Sequence, residues 1–221
     1  VVGPMEGNGL LGNEFDLVYD DLYMGEDTWE KAERKMIEDV VQICLKKGNL
    51  NQDDISVYLA GDLLNQNISA SFSAKTNQIP FLGVYGACST SMLSLSLAAA
   101  LVDSGFAEKA IAAVSSHNCT AEKQYRYPTE YGGQKPDTAQ WTVTGAGAGV
   151  VGISDQPSAG PRITHTTIGK VIDMGVKNPF DMGSAMAPAA ADTIKRHFED
   201  TRRTPLDYDL IVTGDLGKVG S

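Results

Sequence analysis

A chain of 221 residues, 42% of them hydrophobic, is long enough to bury a full core as one large domain or two half-domains. Its net charge of -10 argues against nonspecific binding to nucleic acid, and no window approaches the roughly 18 apolar residues of a membrane span. The opening residues show no signal segment. The three cysteines form no CxxC pair and the three histidines are scattered, so we assign no metal and no cofactor.

The first part of the chain alternates helix-like and strand-like segments. Residues 28–47 place apolar side chains at three- and four-residue steps behind a Thr28 cap, which predicts an amphipathic helix. Short apolar runs predict further strands and helices, namely strands over 55–64, 80–87 and 109–118 and helices over 69–78 and 88–104. Continuous apolar strands that alternate with helices are typical of a parallel sheet covered on both faces, so the predicted fold class is α/β.

Two segments after Asn118 have a different character. The polar and aromatic stretch 119–141 is too long for an ordinary connection, which indicates a functional loop or, equally, a dimer arm or cap. Residues 142–154 contain glycines in the spacing of a dinucleotide-binding loop, but a turn follows them where that loop needs a helix. We predict a small-residue strand against which another backbone packs closely.

The last part of the chain predicts a strand over 161–173 and a helix over 183–200. The segment "LDYDLIVTGDLG" (206–217) then repeats the pattern of "DDISVYLAGDLL" (53–64): an acidic turn, a short apolar strand and Gly-Asp-Leu, in each case after a helix. This repeat predicts a duplicated half-domain.

The predicted halves are residues 1–155 and the start of a second half over 156–221. A first residue other than Met and an ending on turn residues further suggest a fragment of a longer chain.

The stretch "GACSTS", which places Cys88 at the junction of a buried strand and a helix, resembles the nucleophile turn of the thiolase superfamily, and within it the ketoacyl synthase III type. Three wider stretches, "LAGDLLNQ", "SSHNCTAEKQYRYPTEYGGQKPDTA" and "PFDMGSAMAPAAADTIKRHF", resemble the stage V sporulation protein AD family of spore-forming bacteria. The resemblance covers nearly the whole chain.

This resemblance implies a thiolase-like fold of duplicated α/β/α half-domains with mixed, mainly parallel sheets, in chains longer than this one. It also implies binding of dipicolinic acid during its uptake into the forespore. The implied partners are a second copy of the chain in a homodimer and the other stage V A-operon proteins, and the implied location is the periphery of the spore inner membrane.

Cys88 has two interpretations from its position. A thiol at a helix N-terminus faces unpaired N–H groups that favour thiolate, whereas a small residue there can simply fill a tight space between strand and helix. The condensing enzymes that it resembles also need a His and an Asn, or two His. The resemblance places one His directly after the strand that matches "DLIVT", where this chain has Gly214 and Asp215. This departure argues against condensation chemistry and less strongly against simple acyl transfer.

The other candidate residues fall into two groups. His117 and Asn118 end a predicted strand, where α/β folds place ligands, although a strand-end His is also commonly held by neighbouring backbone groups. The stretch that follows offers cations for carboxylates and aromatic rings for stacking, as a flat aromatic dicarboxylate would need. A solvated loop or a dimer contact explains it equally well. Its candidate residues are Lys123, Tyr125, Arg126, Tyr127, Tyr131 and Lys135. Asp62 and Asp215 hold matching places in the repeat, which favours a turn-capping role.

Three functional hypotheses follow. The first is a non-enzymatic sporulation protein that binds dipicolinic acid or its calcium complex, with Cys88 at the floor of the pocket. The second is a ketoacyl synthase III-like acyltransferase that uses Cys88 as nucleophile. The third is an assembly scaffold for spore membrane proteins, suggested by the tyrosine-rich stretch and the acidic composition.

Overall fold

The structure is a computed structural model that describes residues 1–125, 140–153, 160–178 and 180–220. The chain divides into two units, the first formed by 1–124 with 142–160 and the second by 125–141 with 161–221. The predicted half-domain boundary at residue 155 lies outside the described residues. No helix in the described ranges is long and apolar enough to cross a membrane.

The described residues before 153 form five helices and four strands. The helices are α1 (Pro4–Gly7), α2 (Trp29–Lys47), α3 (Ile68–Asn77), α4 (Thr90–Asp103) and α5 (Asn118–Tyr125). The strands are β1 (Val57–Gly61), β2 (Phe81–Gly83), β3 (Lys109–Ser116) and β4 (Gly145–Gly152). Short 3-10 turns cover Gly12–Glu14, Gln52–Asp54 and Ala87–Ser89. The predicted helix over 28–47 is confirmed, with the Thr28 hydroxyl accepting from the Lys31 N–H.

The four strands form one sheet in the order β2-β1-β3-β4. Strand β1 pairs in parallel with both β2 and β3, whereas β4 runs antiparallel to β3 over its full length. The predicted α/β class with a mixed, mainly parallel sheet is therefore confirmed. Strand β2 is shorter than the predicted 80–87, since the ladder ends at Gly83 and the chain then turns toward α4.

Helices cover both faces of this sheet. On one face α2 and α3 bury a cluster that includes Ile37, Val41 and Tyr58, and the Tyr58 hydroxyl lies 2.9 Å from the Ser73 hydroxyl. On the other face α4 packs on β1 and β3 through Ala98 and Val102. The central strands β1 and β3 are therefore buried on both sides, which explains their uninterrupted apolar sequence.

Strand β4 alternates alanine and glycine. Ala146 and Ala148 pack against the α2 side of the sheet, whereas Gly147 and Gly149 help to line a cavity of about 250 Å³ beside Ser91 and other residues of α4. A Cβ placed on either glycine would meet no atom within 4 Å. The predicted close approach of another backbone is therefore found at Gly145, where an added Cβ would lie 3.3 Å from the Val1 carbonyl oxygen, and not at Gly147 or Gly149.

The second unit contains helix α6 (Met182–Thr201), a 3-10 turn over Pro205–Asp207 and the short helix α7 (Gly217–Gly220). The extended segment after Gly160 packs on α6. His197 links it to the residue after the 3-10 turn, since its Nδ1 lies 2.8 Å from the Thr167 hydroxyl and its Nε2 lies 2.7 Å from the Tyr208 hydroxyl.

Two predicted strands of this unit do not form in the described residues. The described residues 161–173 and 206–217 contain no β-ladder, and Leu210, Ile211 and Val212 are 76%, 45% and 77% exposed. A strand needs a partner for its backbone N–H and C=O groups, and in the described parts of the chain none lies beside these apolar runs.

The two units share local geometry at positions 153 residues apart, the distance along the chain from Gly61 to Gly214. Helix α2 with its Thr28 cap corresponds to helix α6 with its Asp181 cap, and each cap accepts from the N–H three residues later. The left-handed residues Asn49 and Arg202, and the capping boxes Asn51–Asp54 and Thr204–Asp207, follow at the same offset. Duplication of a half-domain stays a prediction that these matches favour.

Candidate functional site

The chemistry-bearing residues of the first unit follow the carboxyl ends of three parallel strands. Asp62 follows β1, Cys88 comes five residues after β2, and His117 follows β3. Carboxyl ends of parallel strands meet at one edge of a sheet, which is where open α/β folds place ligands. The structure therefore brings the predicted Cys88, His117 and Asn118 to the same edge.

Cys88 lies in the 3-10 turn Ala87–Ser89, immediately before α4 begins at Thr90. Its side chain is exposed, so the interpretation of Cys88 as a small buried residue is wrong. Ala87 has a φ of 48°, in the left-handed region, which costs a non-glycine residue about 1–2 kcal/mol. The turn thus holds its backbone in a strained conformation and presents the thiol to solvent.

Neighbouring hydroxyls hold this turn without help from the thiol. The Thr90 hydroxyl is fully buried, donates to the Ala87 carbonyl at 2.7 Å and accepts from the Gly86 N–H at 3.1 Å. The Ser89 hydroxyl donates to the Gly86 carbonyl at 2.7 Å. The serine and threonine of "GACSTS" therefore fix the conformation in which Cys88 is exposed.

Glycine at the end of β1 lets the chain reach this turn. A Cβ on Gly61 would overlap the Val84 carbonyl oxygen and lie 2.7 Å from the Thr90 Cγ2. Val84 is tied to this edge, because its N–H donates to the Ala60 carbonyl at 2.9 Å and its carbonyl accepts from the Asn67 amide at 3.1 Å. The path from β2 to Cys88 thus crosses directly over Gly61.

Asp62 has the turn-capping role that the repeat predicts. Its carboxylate is buried and accepts from the Leu64 N–H at 2.8 Å and from the Ala70 N–H, at the start of α3, at 2.7 Å. Burial raises the pKa of Asp62, and the backbone hydrogen bonds act against that rise. In the second unit Asp215 accepts from the Gly217 N–H at 2.8 Å, which is the same local turn.

His117 is fully buried and both of its ring nitrogens bond to main-chain groups. Nε2 donates to the Leu22 carbonyl at 2.8 Å, and Nδ1 accepts from the Cys119 N–H at 3.2 Å, so the ring is a neutral tautomer. Burial lowers the pKa of His117. The ring also stacks on Trp29 at 6.5 Å between centroids. These bonds leave neither nitrogen free to take a proton from a thiol.

Asn118 begins α5 and connects it to the segment before β4. Its N–H donates to the Thr144 hydroxyl at 3.0 Å and its side-chain amide donates to the Thr142 carbonyl at 2.8 Å. The stretch that the sequence predicts as a loop or arm starts as a helix over residues 118–125.

The remaining candidates are only partly described. Lys123 is exposed and lies 3.5 Å from the Glu30 carboxylate, and Tyr125 is 40% exposed. The other predicted ligand-binding residues of this stretch lie outside the described residues, namely Arg126, Tyr127, Tyr131 and Lys135. In the described part of the chain no group of three or more His, Cys, Asp or Glu side chains is placed to hold a metal ion.

Glu33 is a buried polar residue that the sequence analysis missed. It lies on α2 and is fully buried; its Oε1 accepts from the Ser115 hydroxyl at 3.2 Å, and its Oε2 lies 2.8 Å from the Thr120 hydroxyl oxygen. Burial raises the pKa of Glu33 to about 8. The sequence does indicate its burial, because position 33 is four residues after Trp29 and three before Met36, on the apolar face of the predicted helix.

The sheet, the α2 and α3 layer and the α4 layer define a thiolase-like fold. Solved structures share this fold. OleA from Xanthomonas campestris bound with cerulenin matches with a TM-score of 0.64 and 15% identity, over 85% of this chain and 59% of that one. The 3-oxoacyl-(acyl carrier protein) synthase III from Pseudomonas aeruginosa matches with a TM-score of 0.51 and 11% identity, over 82% and 64%. At these identities the likeness shows the fold alone.

The chain belongs to the stage V sporulation protein AD family, whose model matches residues 1–221. The stage V sporulation protein AD of Bacillus subtilis is 59% identical over 219 residues, which cover 99% of this chain. The chain spans 64% of the length of that relative. It is therefore a sporulation protein with a thiolase-like fold.

Proposed function

We propose that this sporulation protein binds dipicolinic acid, or its calcium complex, without catalysing a reaction on it, and that it serves uptake into the forespore. The observation that carries the proposal is the geometry of the Cys88 edge. An exposed thiol lies on a strained, hydrogen-bonded turn, while His117, the single histidine within 1–124 and 142–160, has both nitrogens bonded to main chain. A nucleophile-type turn without a free base favours a binding site over a condensing enzyme.

The sequence supports the same conclusion at the position where the resemblance to condensing enzymes predicts a catalytic His. Gly214 and Asp215 stand where a condensing enzyme is expected to carry a His, and Asp215 is used in a local turn. A flat aromatic dicarboxylate needs cationic forks and aromatic faces, and the sequence offers these directly after α5, in Arg126, Tyr127 and Lys135. These three residues stay candidates from sequence.

Calorimetric titration of dipicolinate into the full-length protein, with and without calcium, tests the proposal. We expect saturable binding that weakens in Cys88→Ala and is retained in Cys44→Ala, since Cys44 is half-buried on α2, away from the strand ends. Benzoate, which has one carboxylate, is the control ligand and is expected to bind more weakly. Equal binding of benzoate and dipicolinate, or equal binding by the two alanine variants, would contradict the proposal.

The exposure of Cys88 also favours a second candidate function, acyl transfer of the ketoacyl synthase III kind. A free thiol on a strained turn before a helix is positioned to accept an acyl group, although no base is assigned to it. Mass spectrometry after incubation with acyl-CoA donors separates the candidates. An adduct on Cys88 that Cys88→Ala lacks would support acyl transfer, whereas an unmodified Cys88 would eliminate it.

The resemblance adds two partner proposals: a homodimer, and contact with the other stage V A-operon proteins at the spore inner membrane. Strand β2 supports the first, because it is the edge of the described sheet and its Leu82 is 46% exposed. An open sheet edge is a surface on which a second chain can add a strand. We expect full-length protein to sediment as a dimer and Leu82→Lys to weaken it. A monomeric wild-type protein would remove this proposal.

A further inference from the structure

Glu33 ties helix α2 to the turn after strand β3. Its Oε1 accepts from the Ser115 hydroxyl at 3.2 Å and its Oε2 lies 2.8 Å from the Thr120 hydroxyl oxygen. Ser115 is close to the end of β3, Thr120 is in the first turn of α5, and both are buried with exposed fractions of 2%. This buried contact holds together the element on which His117 and Asn118 lie.

Among the described residues, the charged groups that act on Glu33 are both of its own sign. Glu30 acts on it from α2 and Asp62 acts on it from the turn after β1, and both oppose its ionisation. His117, in the turn after β3, adds no charge. Its ring is neutral because Nε2 donates to one main-chain group and Nδ1 accepts from another. Among the described residues the partners of the Glu33 carboxyl are thus two hydroxyls, which compensate a buried charge poorly.

The hydrogen bonds are complete when Glu33 carries a proton. The protonated Oε2 donates to Thr120 Oγ1, whose own proton goes to the His117 carbonyl at 3.0 Å, while Ser115 donates to Oε1. When Glu33 is ionised, Thr120 has one proton for two acceptors, the Glu33 carboxylate and the His117 carbonyl. The charged form therefore competes with the bond that closes the turn after β3.

We propose that Glu33 is a neutral carboxylic acid in the folded protein, and that loss of its proton loosens the turn after β3 that carries His117 and Asn118. The ligand edge of the sheet would then be sensitive to pH in mildly alkaline solution. This inference does not depend on which ligand binds there.

The sign of the pH effect follows from the pKa of the carboxyl. Burial raises the pKa of Glu33 from its ordinary value of 4.5 to about 8. The folded protein therefore holds one more proton than the unfolded chain between these two values, and stability falls as pH rises through that window. One proton corresponds to a tenfold increase in the unfolding equilibrium constant for each unit by which pH rises. This increase stops above the pKa of the folded protein.

Urea unfolding of the full-length protein between pH 5 and pH 9, compared with Glu33→Gln, measures that proton. The glutamine amide can donate to Thr120 and accept from Ser115 but does not titrate. We expect the wild-type unfolding equilibrium to rise about tenfold per pH unit relative to Glu33→Gln up to pH ~8. Glu108→Gln is the control, since Glu108 is exposed, pairs with Lys109 at 2.9 Å and is not among the groups that act on Glu33. Parallel pH profiles for wild type and Glu33→Gln would overturn the proposal.

Hydrogen exchange locates the effect. The Ala121 N–H donates to the His117 carbonyl at 3.0 Å and the Cys119 N–H donates to its ring at 3.2 Å, so both amides report on the turn. We expect their protection to fall with pH in wild type and to stay level in Glu33→Gln. If Glu33→Gln fails to fold, infrared spectroscopy of the wild type decides. A protonated carboxylic acid band at pH 6 that is lost by pH 9 supports the proposal, and its absence at pH 6 refutes it.

Discussion

Replacing Gly61 by alanine tests whether the path of the chain over β1 determines the Cys88 turn. The added Cβ would overlap the Val84 carbonyl oxygen and approach the Thr90 Cγ2 to 2.7 Å. The first is main chain and the second is fully buried, so neither atom can rotate away. Overpacking of this kind costs about 1–3 kcal/mol, and we expect the upper part of that range.

Gly147→Ala is the matched control within the same sheet. A Cβ at this position meets no atom within 4 Å, and replacing a strand glycine by alanine stabilises by about 0.5–1 kcal/mol. Urea unfolding of the two variants should therefore show midpoints on opposite sides of the wild-type value, with unchanged slopes. Equal stability of the two alanine variants would refute the account of Gly61 as the crossing point.

Three further predictions concern the same edge. Asp62→Ala leaves the Leu64 and Ala70 N–H groups unpaired and should lower the free energy of unfolding by about 2–5 kcal/mol. Asp215 is exposed, and Asp215→Ala should lower it by less than about 1 kcal/mol. Similar losses for the two variants in urea titrations would contradict the turn-capping role of Asp62. Alkylation followed by mass spectrometry should modify Cys88 before the half-buried Cys44 and Cys119, because burial raises the pKa of both of those thiols; earlier labelling of either would show that the Cys88 turn is closed. Burial lowers the pKa of His117 below its ordinary value of 6.5, so the free energy of unfolding decreases as pH falls below that value. In His117→Gln, the free energy of unfolding should depend less steeply on pH in this acid range. An unchanged acid profile would show that His117 titrates freely.

The features that sequence predicts best here are local. The helix over 28–47 follows from apolar spacing and a threonine cap, and the parallel strands follow from short apolar runs between helices. The role of Asp62 follows from a turn motif whose geometry is set within a few residues. Such signals survive folding because tertiary contacts reinforce them.

The features that sequence missed depend on distant partners. The main-chain acceptor for His117 is Leu22, 95 residues away, and the hydroxyls for Glu33 come from the far end of β3 and from α5. The exposure of Cys88 depends on how the chain after β2 passes over Gly61 at Val84. The apolar run at 210–213 has the composition of a strand, but strand formation needs a neighbour that composition does not reveal.

Protection of Cys88 by ligand tests the central proposal most directly. The rate of Cys88 alkylation would be measured in the full-length protein with and without saturating dipicolinate, with Cys44 and Cys119 in the same molecule as internal references. A ligand at the carboxyl edge of the parallel strands should slow alkylation of Cys88 several-fold and leave the other two thiols unchanged. Equal rates for Cys88 with and without dipicolinate would contradict a binding site built on this turn.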